Sequence, residues 1–207
     1  MKKLVAIATV VLATIAARAD YNNAYCMLSV FSPGQLPAQS YDVTGVKLSA
    51  IYGVSHALTG LDLSVYGVTR EYAHGVQLGG VNVVSTDACG FQAGLFDWVN
   101  NKFTGFQVGL LADVSARAKG FQLGGVNYVS EEASGFQLAL MNFSGDYDLG
   151  GGFTGLQMGL ANVAANMSGV QLGLVNCAQT LDGVQIGLLN FAERNAFKFF
   201  PLVNFGF

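Results

Sequence analysis

Few residues of this chain have types and spacings that could do chemistry. Its two histidines are His56, expected in a loop, and His74, expected at the polar end of a strand. Neither has a cysteine nearby or a second histidine four positions away, the spacing that places two ligands on one face of a zinc-binding helix. The sequence also lacks G-x-S-x-G, H-E-x-x-H and a phosphate-binding loop. We therefore expect no catalytic residue, no metal site and no cofactor, and an enzyme is the most distant function considered.

Carboxylates and cysteines offer only weak sites. Asp146 and Asp148, beside the glycines at 150–152, could supply oxygen ligands to a weakly bound Ca²⁺, although a solvated loop is the favoured interpretation. The three cysteines have no C-x-x-C spacing and are expected to be small, buried or half-buried residues: Cys26, Cys89 and Cys177. A structural disulfide stays open, because an exported protein meets an oxidising compartment.

Glutamine is the most informative polar residue, because it recurs at one position of a repeated motif. The motif G-x-Q-x-G is not a nucleotide-binding fingerprint, since that fingerprint lies between a strand and a helix, and here the motif recurs within predicted strands. Lys47 and Asp62 replace glutamine in two adjacent repeats, where they could form an ion pair. The glutamines are expected to pack as a hydrogen-bonded ladder or to line the lumen of a barrel: Gln77, Gln92, Gln107, Gln122, Gln137, Gln157, Gln171 and Gln185.

The glutamines belong to a repeat of mostly 14–15 residues that reads G-φ-Q-φ-G-φ-φ-N, where φ is apolar. The repeats begin at Gly45, Gly60, Gly75, Gly90, Gly105, Gly120, Gly135, Gly155, Gly169 and Gly183. Both chain ends fit the same frame, which makes twelve units. With the first glycine as position 0, apolar residues at positions 1, 3 and 5 alternate with Gly, Gln and Gly at 0, 2 and 4, the period of a strand. Three or four turn-forming, often charged residues follow. Each unit is therefore predicted to be one strand of about eleven residues and one tight turn.

These strands predict an all-β fold, with an antiparallel up-and-down barrel of about 12 strands as the first architecture. If hairpins join the strands, position 2 of one repeat faces position 4 of the next, so residue 77 lies opposite residue 94. Both terminal units are strongly apolar, which suggests that the first strand pairs with the last. The alternative is a parallel β-solenoid, in which residue 77 lies opposite residue 92. That fold would require each unit to bend near a glycine or an asparagine.

The chain start predicts export. Lys2 and Lys3 precede a short apolar stretch, and Ala17-Arg18-Ala19 offers a cleavage site, so residues 1–19 are expected to be a signal peptide and 20–207 a single repeat-built β domain. Loss of Lys2, Lys3 and Arg18 leaves seven basic residues against thirteen acidic ones, a formal charge of −6. No basic patch indicates nucleic acid.

The arrangement of motifs resembles the surface-repeat family of Gram-negative envelope proteins. The resemblance rests on V-x-G-V-x-L-x-x-x-Y-G at 43–53, on the serial G-x-Q-x-G-x-x-N units and on F-x-P-L-x-N-x-x-F at 199–207. It implies placement at the outer membrane or the cell surface of a Gram-negative bacterium and supplies no catalytic residue. Two residues at asparagine positions depart from the pattern, Asp97 and Ala112.

Alternating aromatics at the chain end resemble the C-terminal signal of outer-membrane barrels, with Phe205 and Phe207 as its core. The expected partners are accordingly outer-membrane lipid and the envelope's assembly machinery. The sequence thus predicts a structural β protein of the outer membrane or surface, or a narrow uncharged pore lined by glutamine. The alternative function is a β-solenoid module for surface binding or adhesion.

Overall fold

The computed structural model describes residues 22–114, 116–148 and 150–207, so the expected signal peptide at 1–19 lies outside the described residues. These residues form fourteen strands and one continuous sheet system. The strands are β1 (Asn23–Phe31), β2 (Gly34–Leu36), β3 (Asp42–Ser55), β4 (Leu58–Thr69), β5 (Ala73–Val84), β6 (Ala88–Ala93), β7 (Phe96–Val99), β8 (Lys102–Val114), β9 (Arg117–Val129), β10 (Glu132–Ser144), β11 (Gly152–Met158), β12 (Ala161–Leu172), β13 (Val175–Ala192) and β14 (Phe199–Gly206). The described part of the chain contains no helix long and apolar enough to cross a membrane.

Successive repeats pair in parallel, with each residue beside its equivalent in the next repeat. Gly75 lies opposite Gly90, and Gln77 lies opposite Gln92 rather than residue 94. The same register continues from β3 through β13. The fold is therefore a parallel β-solenoid, and the predicted antiparallel barrel is wrong. The all-β prediction and the solenoid alternative are confirmed.

Each repeat is a coil bent between two stretches of strand, not the straight eleven-residue strand that was predicted. Leu140 and Met141, at positions 5 and 6, are both exposed, at 60% and 48%, which breaks the alternation of a single strand. Before the bend Gln137 points inward, and after it Ser144 does too. Ser144 Oγ donates to Gln137 Oε1 over 3.1 Å, so the two stretches of one coil face each other. The adjacent apolar pair is thus a corner.

The first glycine of each repeat is required by the stacking of coils. Gly135 has a φ of 117°, a conformation that side chains with a Cβ rarely adopt. A Cβ at Gly135 would also lie 2.2 Å from the backbone oxygen of Gly120 in the preceding coil. Only glycine therefore lets this strand approach its neighbour at hydrogen-bonding distance.

The apolar core runs along the solenoid axis, between the beginning and the end of the coils. Its residues lie two positions before the repeat glycine and at position 9, and include Phe103, Phe153 and Met167 on the first row and Val84 and Val99 on the second. Many other members are alanine. The core is therefore narrow, and polar side chains fill the rest of the interior.

Each end of the solenoid carries an antiparallel strand. At the first end β2 pairs with β1, and at the other β14 pairs with β13. β1 pairs with β3 and β2, whereas β14 pairs with β13, so the predicted pairing of the first strand with the last is wrong. Asn204 on β14 lies opposite Gln185 and continues the polar interior into the terminal strand. The ends are covered by a reversal of the chain instead of by ring closure.

Candidate functional site: a polar interior and an apolar exterior

The eight predicted glutamines form a continuous buried ladder. Each is at most 3% exposed. From Gln92 onward each Nε2 donates to the Oε1 of the preceding coil over 2.6–3.2 Å, from Gln92 to Gln77 through to Gln185 to Gln171. Asn204 Nδ2 adds a last bond to Gln185 Oε1 at 3.2 Å. The side chains occupy the interior and satisfy one another, so they line no lumen, and the idea of a glutamine-lined pore fails with the barrel.

Lys47 and Asp62 occupy the two ladder positions before Gln77. Lys47 Nζ lies 3.0 Å from Asp62 Oδ2, and both side chains are fully buried. Burial lowers the pKa of Lys47, and the charge of Asp62 opposes that shift. The ion pair that the sequence suggested is therefore dry. The amide donors of the glutamine ladder point toward the first end of the solenoid, so the positive end of the ladder's dipole lies there. The carboxylate of Asp62 is at that same end.

A second ladder, of asparagine, runs along position 7 in the opposite sense. Nδ2 donates to Oδ1 of the next coil over 2.8–2.9 Å, through the series Asn127, Asn142, Asn162, Asn176 and Asn190. The remaining N–H of Asn142, Asn162 and Asn176 donates to a backbone oxygen of the next coil. The two ladders thus have opposed dipoles inside one coil, which reduces the net dipole along the solenoid axis.

The asparagine ladder is interrupted where the sequence departs from the repeat. Asn82 Nδ2 donates to Asp97 Oδ1 over 2.7 Å, but the next position is the fully buried Ala112. Asp97 Oδ2 and Asn127 Oδ1, on either side of Ala112, have no hydrogen-bonding partner among the described residues. Burial raises the pKa of Asp97 to about 6, although the bond from Asn82 lowers it. A carboxylate thus lies in the interior without a neighbouring cation in the described part of the chain.

The exterior is apolar along the corner of the coils. The side chains at position 5 form what we call the apolar ridge, and each is 50–61% exposed: Val65, Leu95, Leu110, Leu140, Leu160, Leu174 and Leu188. They lie on seven of nine successive coils, roughly 40 Å at the usual strand spacing, and the other two coils have Gly80 and Gly125 at position 5. Phe96, Met141 and Leu189 at position 6 are exposed beside the ridge. A soluble monomer rarely exposes this many large apolar side chains along one edge, so the ridge is a candidate binding surface.

A row of aromatic rings lies at position 1, with the side chains of position 3 between it and the ridge. The four phenylalanines stack face to face across adjacent coils, with ring centroids 5.7, 4.4 and 4.9 Å apart: Phe91, Phe106, Phe121 and Phe136. In-register pairing of identical repeats produces the stack, because each ring lies beside its equivalent at the strand spacing. The aromatic row widens the apolar exterior on one side of the ridge.

Exposed charges lie mainly at the turns between coils and at position −1. Arg70 and Glu71 lie in one turn, Glu131 in another, and Lys119 and Asp182 at position −1. The turns and the apolar corner are separated by strand in every coil, so they form different edges of the solenoid. The exterior is therefore amphipathic.

The residues first considered for chemistry do not come together. His56 Nδ1 lies 2.7 Å from Asp42 Oδ1, and its Nε2 lies 3.7 Å from Glu71 Oε1, at an exposed edge. His74 instead packs its ring against Tyr72, with centroids 4.9 Å apart. Within the described residues no three His, Cys, Asp or Glu side chains form a metal-binding group.

The other sequence candidates are also dispersed. Cys26 and Cys177 are half-buried and Cys89 is exposed, and all three are free thiols. Burial raises the pKa of Cys177, with a further contribution from Glu193. Phe205 pairs with Val184 on the terminal strand, and Phe207 is fully exposed. Their role as an assembly signal stays a prediction, and β14 closes no barrel.

Sequence reasoning placed the glutamines on one face but missed that the asparagines share it. A signal was present. In a straight strand, glutamine at position 2 and asparagine at position 7 would point to opposite faces. The two adjacent apolar residues at positions 5 and 6 indicate a bend between them, after which the asparagine points to the same side as the glutamine. The exposed ridge was also missed, because the barrel that was considered first has straight strands and therefore no corner.

The chain matches no family model, and neither a curated protein nor a solved structure matches it.

Proposed function

We propose that this protein is an exported surface-binding module that attaches to envelope lipid through its apolar ridge. The observation that carries the proposal is the exposure of an apolar residue at position 5 in seven of nine successive coils, along the corner of the solenoid. Full burial of such a side chain is worth roughly 1.5–3 kcal/mol, and about half remains to be gained here, so seven ridge residues could contribute roughly 5–10 kcal/mol before the costs of association.

The backbone of the ridge supports lipid as the partner. Leu95 N donates to Gly80 O, Leu110 N to Leu95 O, and Leu160 N to Leu140 O, at 2.8–3.0 Å. Insertion of this edge into an apolar phase therefore leaves these amide groups paired, which is the main requirement for polypeptide in lipid.

The chemistry of the ridge also favours lipid over a protein partner. A protein interface usually combines apolar contacts with about ten direct hydrogen bonds. The ridge is a repeated row of Val and Leu, whereas the charged turns lie at another edge. Such a surface suits a fluid apolar phase, which needs no matching shape. The predicted signal peptide at residues 1–19 and the surface-repeat resemblance support an envelope location.

Flotation with vesicles of neutral phosphatidylcholine tests the proposal. The wild-type protein is expected to float with the vesicles. The fluorescence emission of Trp98, the single tryptophan, is expected to shift to the blue, because its half-exposed ring, at position 8 of its coil, lies near the ridge. The double variant Leu110→Gln/Leu140→Gln should bind at least fivefold more weakly.

The matched control is Tyr25→Gln/Leu36→Gln, which also removes two exposed apolar side chains but lies at the first end of the solenoid, away from the ridge. It should bind like wild type. The proposal is wrong if wild type stays with the soluble fraction, or if the two double variants bind equally. Loss of self-association in the ridge variant, without flotation of wild type, would instead identify a protein interface.

A further inference from the structure

A groove of about 1040 Å³ lies on the outside of the solenoid, over the coils from β8 to β13. Its walls are the outward side chains at positions −3 and −1, and its floor is the backbone of position −2. The side chains at position −2 are buried in the apolar core, for example Phe103, Phe153 and Leu181, so the floor is held in place. Gly152 adds no side chain to its wall, which widens the groove near its middle. The groove is thus preformed and open to solvent.

Four basic side chains line this groove, although they are scattered along the sequence. Lys102, Arg117, Lys119 and Arg194 are four of the seven basic residues at 20–207. None of the four forms an ion pair with another side chain that the structure describes. Two acidic residues also line the groove, so its side chains carry a net charge of +2, whereas residues 20–207 carry −6. The groove is therefore the part of an acidic protein that attracts anions.

Three of the four cations lie together at one end of the groove. Lys102 and Arg117 lie opposite each other on β8 and β9, and Lys119 points outward two residues after Arg117. Asp87, one repeat before Lys102, accepts from Asn101 Nδ2 over 2.7 Å and from the backbone N–H of Lys102 over 3.2 Å, and it does not line the groove. A guanidinium binds a carboxylate through two parallel hydrogen bonds. This end of the groove therefore suits a carboxylate.

The rest of the groove offers polar groups in steps of one coil. Adjacent coils lie about 4.8 Å apart, close to the length of one sugar unit in an extended glycan. Thr180 Oγ1 donates to Asn166 Oδ1, and Asn166 Nδ2 donates to the backbone oxygen of Gly151, so this part of one wall is fixed by hydrogen bonds. Charged, hydroxyl and carboxylate groups alternate along the other wall, at position −1: Lys119, Ser134, Thr154, Ser168 and Asp182.

We propose that this groove binds a segment of an acidic linear polysaccharide, which runs along the solenoid axis. A sugar carboxylate lies against Arg117 and Lys119, and later sugar hydroxyls donate to Asp182. From Lys102 to Thr180 the groove covers five coil steps, roughly 24 Å, which is room for about five sugar units. Both the charge and the length of the groove are used by such a ligand.

Single-stranded nucleic acid fits the groove less well. Sites for it usually stack successive bases on several aromatic side chains. Phe207 is the one exposed aromatic ring among the described residues of the lining, since Phe103 and Phe153 are buried. The carboxylates of Glu132 and Asp182 would also repel a backbone that is charged at every unit, whereas they can accept hydrogen bonds from sugar hydroxyls.

The groove goes beyond the proposed lipid binding and does not depend on it. It lies at positions −3 and −1 of the coils, whereas the apolar ridge lies at position 5, on the corner. Lipid bound to the ridge therefore leaves the groove exposed to water, and each site can be tested without the other.

Isothermal titration calorimetry of the protein with hexagalacturonate, and with neutral maltohexaose for comparison, tests the groove. Wild type should bind hexagalacturonate more tightly than maltohexaose by about tenfold or more, and its affinity should fall as NaCl is added, because exposed charges are screened. The double variant Arg117→Gln/Lys119→Gln should bind hexagalacturonate about fivefold more weakly or worse. Both side chains are exposed, so this variant should keep the melting temperature of wild type.

The matched control is Arg70→Gln/Lys198→Gln, which removes the same two residue types and the same charge outside the groove. It should bind hexagalacturonate like wild type. Equal losses in the two double variants would reduce the effect to nonspecific attraction and overturn the proposal. Wild type that does not bind hexagalacturonate, or that binds a single-stranded hexanucleotide more tightly, would overturn it as well.

Discussion

Lys47 Nζ lies 3.0 Å from Asp62 Oδ2 in the interior of the solenoid, and neither side chain is exposed to solvent. The ammonium also donates to the backbone oxygen of Val68 at 3.0 Å. The pair occupies two positions of the glutamine ladder, next to Gln77, whose Nε2 has no partner within the described part of the chain. Two buried charges thus replace two neutral amides where the ladder begins, which makes this pair the clearest place to compare ionic and amide packing.

Removal of one charge should be far worse than removal of both. Asp62→Asn leaves Lys47 buried without a counterion and should lower the free energy of unfolding by about 3–5 kcal/mol at pH 7. Lys47→Gln/Asp62→Gln extends the amide ladder and gives Gln77 Nε2 an acceptor, so the double variant should be as stable as wild type or more so. Urea unfolding of the three proteins measures both effects. A single variant as stable as the double would contradict this view of the pair.

The same pair predicts a pH dependence in the alkaline range. The pKa of Lys47 is lowered in the folded protein from its ordinary value of 10.5, chiefly by burial. Between the lowered pKa and 10.5 the unfolded chain therefore binds more protons than the folded one, and stability rises with pH. The difference in unfolding free energy between wild type and Lys47→Gln/Asp62→Gln should shift in favour of wild type as pH rises through this window. A constant difference would show that Lys47 does not titrate there.

Interruption of the glutamine ladder should be costly. Gln122→Ala leaves Gln107 Oε1 without its donor and Gln137 Nε2 without its acceptor. Two buried polar groups without partners should lower the unfolding free energy by about 2–6 kcal/mol. Lys119→Ala changes an exposed side chain of the same coil and should stay within about 0.5 kcal/mol of wild type. Thermal unfolding followed by circular dichroism compares the two. Equal melting temperatures would mean that the ladder adds no stability.

Disulfide crosslinking can test the register of the coils. In a background with the three cysteines replaced by alanine, Lys119→Cys and Ser134→Cys lie directly opposite each other on adjacent parallel strands. Their Cα atoms should be about 5 Å apart, within the range of a disulfide. Oxidation should therefore crosslink them within one chain.

The control pair is Lys119→Cys with Thr154→Cys, since Thr154 lies opposite Ser134 and hence two coils from Lys119. The separation is about 10 Å, too far for a disulfide. Mass spectrometry of non-reduced peptides distinguishes the pairs. Crosslinking of the second pair but not the first would disprove the parallel register.

Two glycines with positive φ should respond differently to alanine. Gly135→Ala places a Cβ 2.2 Å from the backbone oxygen of Gly120, and should cost more than about 4 kcal/mol because neither strand can move without loss of pairing. Gly150 has a φ of 87° but open space around it. Gly150→Ala should therefore lower the unfolding free energy only by the cost of holding alanine in a left-handed conformation, about 1–2 kcal/mol. Soluble yield and melting temperature measure the contrast. Similar losses for both would show that strand proximity is not the constraint at Gly135.

Much of the fold could be predicted from local pattern. The spacing of Gly75, Gly90 and Gly105 gives the repeat, and the alternation around Gln77 gives the strand. The ladder of glutamines was also among the expectations, since equal positions in successive repeats can hydrogen-bond. A straight strand would place Gln77 and Asn82 on opposite faces, because positions 2 and 7 differ in parity, and the bend that brings both inside belonged only to the solenoid alternative.

The sequence by itself determined that this chain is all-β, repetitive and stacked in units of mostly 14–15 residues, because those properties follow from side-chain period and turn residues within each unit. The tertiary structure alone decided the direction of pairing. In a parallel stack, identical repeats place each residue beside its equivalent. Because the apolar pattern of each repeat is symmetric, apolar residues also face apolar residues in an antiparallel hairpin, so local contacts do not distinguish parallel from antiparallel pairing. The bend at Leu140 and Met141 decides the matter, since it closes each coil around the glutamines and asparagines and leaves the leucines of the corner outside.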